Sequence, residues 1–265
     1  MIGLSTYAFF WQHSDRAPAP LTLADMLHRT RSSGVDLFQV CDYAPLLSYS
    51  AAELQGIRSL ADDLGITLEL GTKGLQTEHL ATFLSIAEVF GATFVRSMVN
   101  GPDSTPTLVE AESLLRAALP AFEAAGVTLA LETYEQVSST DLVSLVETVA
   151  SPALGITLDP ANSVAALEHP RDVVERTAPY VRGIHVKDFA FSRRGGWVGF
   201  TLEGVPLGTG LLDYDHLVGT VRPEERGINQ VIEHWLTWRD SFDETARLEN
   251  EWNSHNLSYL RSKQS

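Results

Sequence analysis

Four short aliphatic runs each end in residues that can bind a metal or move a proton. They are Leu129-Ala130-Leu131-Glu132, Gly155-Ile156-Thr157-Leu158-Asp159, Gly183-Ile184-His185-Val186-Lys187 and Gln230-Val231-Ile232-Glu233. In the third, strand alternation turns His185 and Lys187 to the side opposite Ile184 and Val186. One imidazole and three carboxylates, with no thiolate, form a donor set for a divalent cation. Mn2+ is the first choice, and Mg2+, Co2+ or Zn2+ also suit such ligands. An acid at a single strand end is commonly a solvated loop residue. Four matching ends in one chain argue instead for a shared site.

Three cations fall near the same ends. Lys73 follows Gly71-Thr72, Arg96 lies in Phe94–Met98 and Lys187 closes its own run. They could meet a carboxylate or phosphate on a substrate, or they could neutralise the buried acids. The residues alone leave both readings open. Tyr7, Phe9, Phe10, Trp11, Tyr43, Tyr134 and Trp197 follow strand-like runs and could wall a sugar site, with about half expected to touch ligand. His13, His169, His216 and His255 show no partner pattern and are expected at the surface.

These groups need a scaffold that brings strand ends together. Strand-like runs cover Ile2–Thr6, Leu37–Cys41, Thr67–Gly71, Phe94–Met98, Thr128–Glu132, Gly155–Asp159, Gly183–Lys187 and Gln230–Glu233. Helical periodicity falls between them, over Leu21–Ser33, Ser50–Leu64, Glu78–Phe90, Thr107–Ala125, Ser139–Val149, Arg171–Ala178 and Tyr214–Val221. Ser50-Ala-Ala-Glu53 has the form of a capping box, and Gly34, Gly65, Gly91 and Gly126 sit where helices pass into strands. This alternation predicts an α/β fold, a closed (β/α)8 TIM barrel in one domain over residues 1–265. The doubly wound alternative lacks a Gly-x-Gly-x-x-Gly fingerprint after its first strand. Ala190–Gly210 reads as a hairpin over the barrel mouth, and Ser241–Ser262 as a polar C-terminal helix serving as a clasp or interface.

The 265 residues are 44% hydrophobic, enough for a sizeable core, yet no apolar run reaches the roughly 18 residues of a membrane span. A formal charge of −15 opposes nucleic-acid binding. Cys41 is the only cysteine, so no internal disulfide forms, and a reducing, cytoplasmic setting is expected.

Leu131-Glu132, Leu158-Asp159-Pro-Ala-Asn-Ser163, His185-Val-Lys-Asp188, Pro206-Leu-Gly-Thr-Gly210 and Ile232-Glu233-His234 follow in an order and spacing that is specific as a set. The chain resembles the sugar phosphate isomerase/epimerase family, the xylose isomerase-like barrels that include ketose 3-epimerases, hydroxypyruvate isomerase and inosose dehydratase. The resemblance implies a divalent metal held by Glu132, Asp159, His185 and Glu233. It implies an enediolate path with Glu132 and Glu233 as acid/base groups, and a homodimer or homotetramer. Lys187 joins these as a candidate catalytic group; Lys73, Arg96, Asn162, Tyr7 and Tyr134 are candidate substrate contacts. One departure matters: many relatives carry histidine where this chain has Asn162, and an amide cannot exchange a proton near neutral pH.

The first functional expectation is therefore an isomerase or epimerase of a ketose or keto-sugar acid. A lyase on the same scaffold, decarboxylating a β-keto sugar acid or dehydrating one, is the alternative. Lys73, Arg96 and Asn162 lean towards it, because losing CO2 needs no base to abstract a carbon-bound proton. An endonuclease of the abasic-site barrel type would need more histidines and a basic face. A sugar-binding barrel without turnover would have no need for four intact ligands.

Overall fold

Strands buried on both faces cannot alternate polar with apolar, and five of the runs above are buried at every position. The structure, a computed structural model, describes residues 1–196 and 198–264. Its strands are β1 (Ile2–Ser5), β2 (Leu37–Cys41), β3 (Thr67–Gly71), β4 (Phe94–Ser97), β5 (Thr128–Glu132), β6 (Leu154–Leu158), β7 (Val181–Val186), β8 (Asp188–Arg193), β9 (Phe200–Val205) and β10 (Asn229–Ile232). Eight of them pair in parallel and close into a barrel in the order β1-β10-β7-β6-β5-β4-β3-β2. These are the eight expected strands, with ends shifted by one or two residues.

The helices are α1 (Leu23–Ser32), α2 (Ala51–Leu64), α3 (Thr77–Phe90), α4 (Leu108–Ala125), α5 (Ser139–Val149), α6 (Pro160–Ala165), α7 (Pro170–Thr177), α8 (Tyr214–Val221), α9 (Pro223–Arg226) and α10 (Phe242–Lys263). Thr22, Ser50 and Thr107 form reciprocal capping boxes with Asp25, Glu53 and Glu110. Gly65, Gly91 and Gly126 end α2, α3 and α4 in the left-handed conformation, where glycine carries no Cβ penalty. The short α6 and α9 were not expected, since four to six residues are too few to show a period. Phe38, Phe90 and Phe122 are fully buried in the core between barrel and helices. Truncating any one to alanine costs about 3–5 kcal/mol.

The long segment after β7 is a hairpin, as expected: β8 and β9 pair antiparallel from Asp188↔Val205 to Arg193↔Phe200. Trp197, near its tip, lies outside the described residues. Asp188 ties the hairpin's return to the barrel. Its Oδ2 accepts from Gly208 N and Gly210 N, both at 2.9 Å, and its Oδ1 accepts from Leu212 N at 2.9 Å. A Cβ on Gly210 would collide with that carboxylate and with Phe189 O, which explains the glycine in the Pro206–Gly210 motif.

The polar α10 is a clasp. Asn253 Nδ2 donates to Ala8 O at 2.7 Å, and Asn256 Oδ1 accepts from Leu207 N at 2.9 Å. Trp252, Leu257 and Leu260 bury the helix's apolar side. Among the described residues, no helix is long and apolar enough to cross a membrane.

Candidate metal centre

Glu132 is the last residue of β5, Asp159 follows β6, His185 lies on β7 and Glu233 follows β10. Register brings them level, with His185 opposite Val231 and Glu132 opposite Thr157. All four are buried, and one donor atom from each lies within 4.8 Å of the others. Glu132 Oε2, Asp159 Oδ2 and Glu233 Oε1 have no hydrogen bond among the described residues. Each faces a positive group or the imidazole, Arg96 Nε and Lys187 Nζ at 2.8 Å and His185 Nδ1 at 3.4 Å, and the lone pairs left over are open to a cation. Three such oxygens beside an imidazole nitrogen fit a divalent cation.

His185 is held between the carboxylates and Gln39. Its Nδ1 lies 3.2 Å from Glu132 Oε1 and 3.4 Å from Glu233 Oε1, while Nε2 lies 2.8 Å from Gln39 Oε1. An amide oxygen only accepts, so Nε2 carries a hydrogen; facing two carboxylates, Nδ1 holds either a proton donated to Glu132 Oε1 or the cation that replaces it. Gln39 Nε2 donates to Glu69 Oε2 at 3.1 Å, and Glu69 Oε1 accepts from Asn229 Nδ2 at 2.7 Å. Burial opposes charge on His185, but Glu233 and Glu132 outweigh it and raise its affinity for a proton, whose place a metal cation takes. Burial pushes Glu132 upward, yet Arg96 and His185 overcome it and keep this carboxyl ionised. At Asp159 burial wins over Lys187, and the carboxyl is raised.

The candidate cations are already paired. Lys187 Nζ sits 2.8 Å from Asp159 Oδ2, 3.1 Å from Glu233 Oε2 and 3.4 Å from Asn162 Oδ1, over the ring of Trp235 at 4.5 Å. Arg96 Nε stands 2.8 Å from Glu132 Oε2, in charge contact without the alignment of a hydrogen bond. The other end of that guanidinium meets Asp42, Nη1 to Oδ1 and Nη2 to Oδ2, each at 3.2 Å, and Nη1 also donates to Thr72 O at 2.7 Å. Asp42 collects two more groups: Tyr7 Oη donates to its Oδ2 at 2.8 Å, and Lys73 Nζ is 3.2 Å away. Burial is the largest influence on Asp42, but Arg96 and Lys73 hold its carboxyl below the usual range. The geometry thus favours neutralisation of buried acids over free cations awaiting a substrate anion.

A profile of the xylose isomerase-like TIM barrel family matches residues 27–261. The chain belongs to the xylose isomerase-like TIM barrel family. It is 55% identical over 262 residues, 99% of this chain and 95% of the relative, to 3-oxo-isoapionate decarboxylase of Pectobacterium atrosepticum. Among solved structures, a xylose isomerase-like TIM barrel protein from Mycobacterium smegmatis in complex with magnesium is 20% identical with a TM-score of 0.72, covering 98% of this chain and 97% of that one. D-psicose 3-epimerase with D-tagatose, from Clostridium cellulolyticum, is 12% identical with a TM-score of 0.76, covering 98% of each chain. At those identities the two structures speak for the fold.

In this xylose isomerase-like barrel the other expected contacts divide. Asn162 donates to Glu132 Oε1 at 2.9 Å, at the start of the helix that Asp159 caps. Tyr134 is half-buried at the mouth, near enough to feel Lys73, Glu132 and Lys187, and burial raises its phenol. Tyr7 stacks on Phe10 at 5.9 Å, Phe10 meets Trp11 edge-on, and Trp11 packs against Trp238 at 5.3 Å. Phe9 instead belongs to the core against Phe38, because the turn after β1 points it inward. His169 and His255 are exposed as expected. His13 is half-buried between Phe10 and Tyr43, and His216 is half-buried beside Arg171 and Glu175, so those two are not free surface groups.

Gln39, Asp42 and Glu69 were missed, and signals existed for each. Asp42 is an acid directly after β2, the pattern that marked the metal-ligand candidates. Gln39 and Glu69 are polar residues inside aliphatic strands, where alternation sends them to the barrel interior.

Proposed function

We propose that this protein is a divalent-metal-dependent lyase that decarboxylates a 3-oxo sugar acid of the 3-oxo-isoapionate type. The observation that carries the reading is the 55% identity to a decarboxylase of that acid over 99% of the chain. The isomerase or epimerase expected first has weaker support, since its epimerase likeness stands at 12% identity.

Glu132, Asp159, His185 and Glu233 would hold the metal. When bound, such an ion polarises a carbonyl and stabilises negative charge developing on its oxygen. The charges at the mouth suit an anionic substrate. Asp42 and Lys73 cancel, while Arg96 and Lys187 leave the three ligand carboxylates one negative charge in excess. With a divalent ion held by Glu132, Asp159, His185 and Glu233, the cluster would carry one net positive charge.

Decarboxylation asks little of a base. The bond between the α-carbon and the carboxylate breaks, and its electron pair passes into the neighbouring ketone. CO2 departs neutral, and the α-carbon takes one proton. Asn162 is adequate for such a path, because it need only orient Glu132 and Lys187. Lys187, an ammonium held at the mouth, is the assigned proton donor. The wall formed by Tyr7, Phe10 and Trp11 limits water around the carbanionic carbon.

The test is the Mn2+-reconstituted protein with 3-oxo-isoapionate labelled with carbon-13 in its carboxyl group, in D2O. Labelled CO2 and a ketose one carbon shorter, with one deuterium at the carbon that lost CO2, are expected. Deuterium exchange with the carbon count unchanged would return the protein to the isomerases and epimerases.

A further inference from the structure

The half of the mouth away from the metal ligands is organised by one carboxylate. Asp42 faces four groups, namely both terminal nitrogens of Arg96, the hydroxyl of Tyr7 and the ammonium of Lys73. It sits at the carboxyl end of β2 with φ 51°, a left-handed conformation uncommon for a residue with a side chain. Its side chain remains 14% exposed, so the carboxylate looks onto the mouth rather than into the core. Lys73, at 38%, is the most open of the mouth's cations.

A decarboxylase gains nothing from gripping the carboxylate that must leave. A cation held against that group stabilises the ground state. Its help disappears as the charge migrates through the breaking bond to the ketone oxygen, so the barrier rises. Positive charge is useful at the oxygen that receives the electrons and harmful at the carboxylate that loses them. The arrangement of this mouth matches that requirement. Lys187 and the ligand cluster occupy one side, Arg96 bridges from Glu132 to Asp42, and on the other side Lys73 is turned onto Asp42.

We propose that Asp42 is a specificity-determining residue: it quenches Lys73 so that this ammonium does not trap the substrate's departing carboxylate. The proposal rests on the decarboxylase reading above. Asp42 touches no reacting atom in this account. It acts through Lys73, and it sets the balance between binding the acid and releasing CO2 from it.

The experiment compares the metal-loaded native protein with Asp42→Asn. Two probes are titrated calorimetrically: borohydride-reduced 3-oxo-isoapionate, which cannot lose CO2, and the neutral ketose left after CO2 loss. Steady-state CO2 release is measured beside them. In Asp42→Asn the reduced acid should bind about tenfold tighter, from a Lys73 ammonium no longer paired, while the neutral ketose stays within about threefold. KM and kcat for the keto acid should fall together, each by about tenfold. Asp42→Glu, which keeps the charge, should retain the native ratio of acid to ketose affinity. Asparagine tolerates the left-handed backbone, and Asp42→Gly, which favours it, supplies the same comparison should the amide variant not fold.

Unchanged or weaker binding of the acid, or equal weakening of both probes, would overturn the proposal and leave Asp42 as a packing residue. Absence of CO2 release from the native protein would defeat the decarboxylase reading instead. In that case the binding ratio still decides whether Asp42 quenches Lys73.

Discussion

Glu249 is a buried carboxylate outside the cluster of metal-ligand candidates, and its titration should be visible in the stability of the whole protein. It is fully buried on α10. Oε1 accepts from Trp11 N at 2.7 Å, and Oε2 accepts from Gln12 N at 3.1 Å and Gln12 Nε2 at 3.2 Å. Burial pushes the carboxyl from its ordinary 4.5 up to about 7, with those hydrogen bonds offsetting only part of the effect. Between the two values the folded protein keeps a proton that the unfolded chain has lost. The stability this confers is complete below pH 4.5 and is lost as pH rises through 7. At roughly 1.4 kcal/mol per pH unit, a separation of about 2.5 units amounts to about 3 kcal/mol. Glu249→Gln removes the titration. Its stability relative to native should therefore rise by about 2.5 kcal/mol between pH 5 and pH 8, whatever constant cost the amide brings. Urea unfolding of both proteins at each pH gives this difference, and contributions from groups common to both cancel. A difference independent of pH, or one that moves in favour of the native protein at high pH, would refute the reasoning.

Gln39→Leu removes the acceptor that fixes the His185 tautomer and should lower Mn2+ affinity about 10–100-fold; a Mn2+ titration followed by electron paramagnetic resonance that gives native affinity would contradict this. In the native protein, Mn2+ at about a hundredfold over its Kd should stabilise the fold by about 2.7 kcal/mol. Glu233→Gln should lose most of that gain, and all turnover, with its far-ultraviolet circular dichroism intact. A native-sized thermal shift in the variant would take Glu233 out of the metal site. Arg96→Met leaves Asp42 and Glu132 without their buried partner and should cost about 3–5 kcal/mol in chemical denaturation. A cost under about 1 kcal/mol, the range of a surface pair, would show the ion contacts to be weak.

Much of this barrel was legible in the chain because its determinants are local. A parallel strand covered on both faces must be a short aliphatic run, so all eight barrel strands could be read from composition. Capping chemistry at Ser50 and the glycines after α2, α3 and α4 marked where helices begin and end. The four metal-ligand candidates were legible for a similar reason: each is the first chemically capable residue at a strand's carboxyl end, and a closed barrel sends all such ends to one face.

What the sequence by itself determined is thus the architecture and the identity of the clustered donors, since both follow from periodicity along single elements. The partners of those donors were decided only by tertiary structure. Nothing near Lys73 or Arg96 in the chain announces that both turn onto Asp42, 31 and 54 residues away in sequence, or that Gln39 reaches His185 across 146. Barrel closure sets such distances, and a cation's role depends on whether a carboxylate lies about 3 Å away or water does.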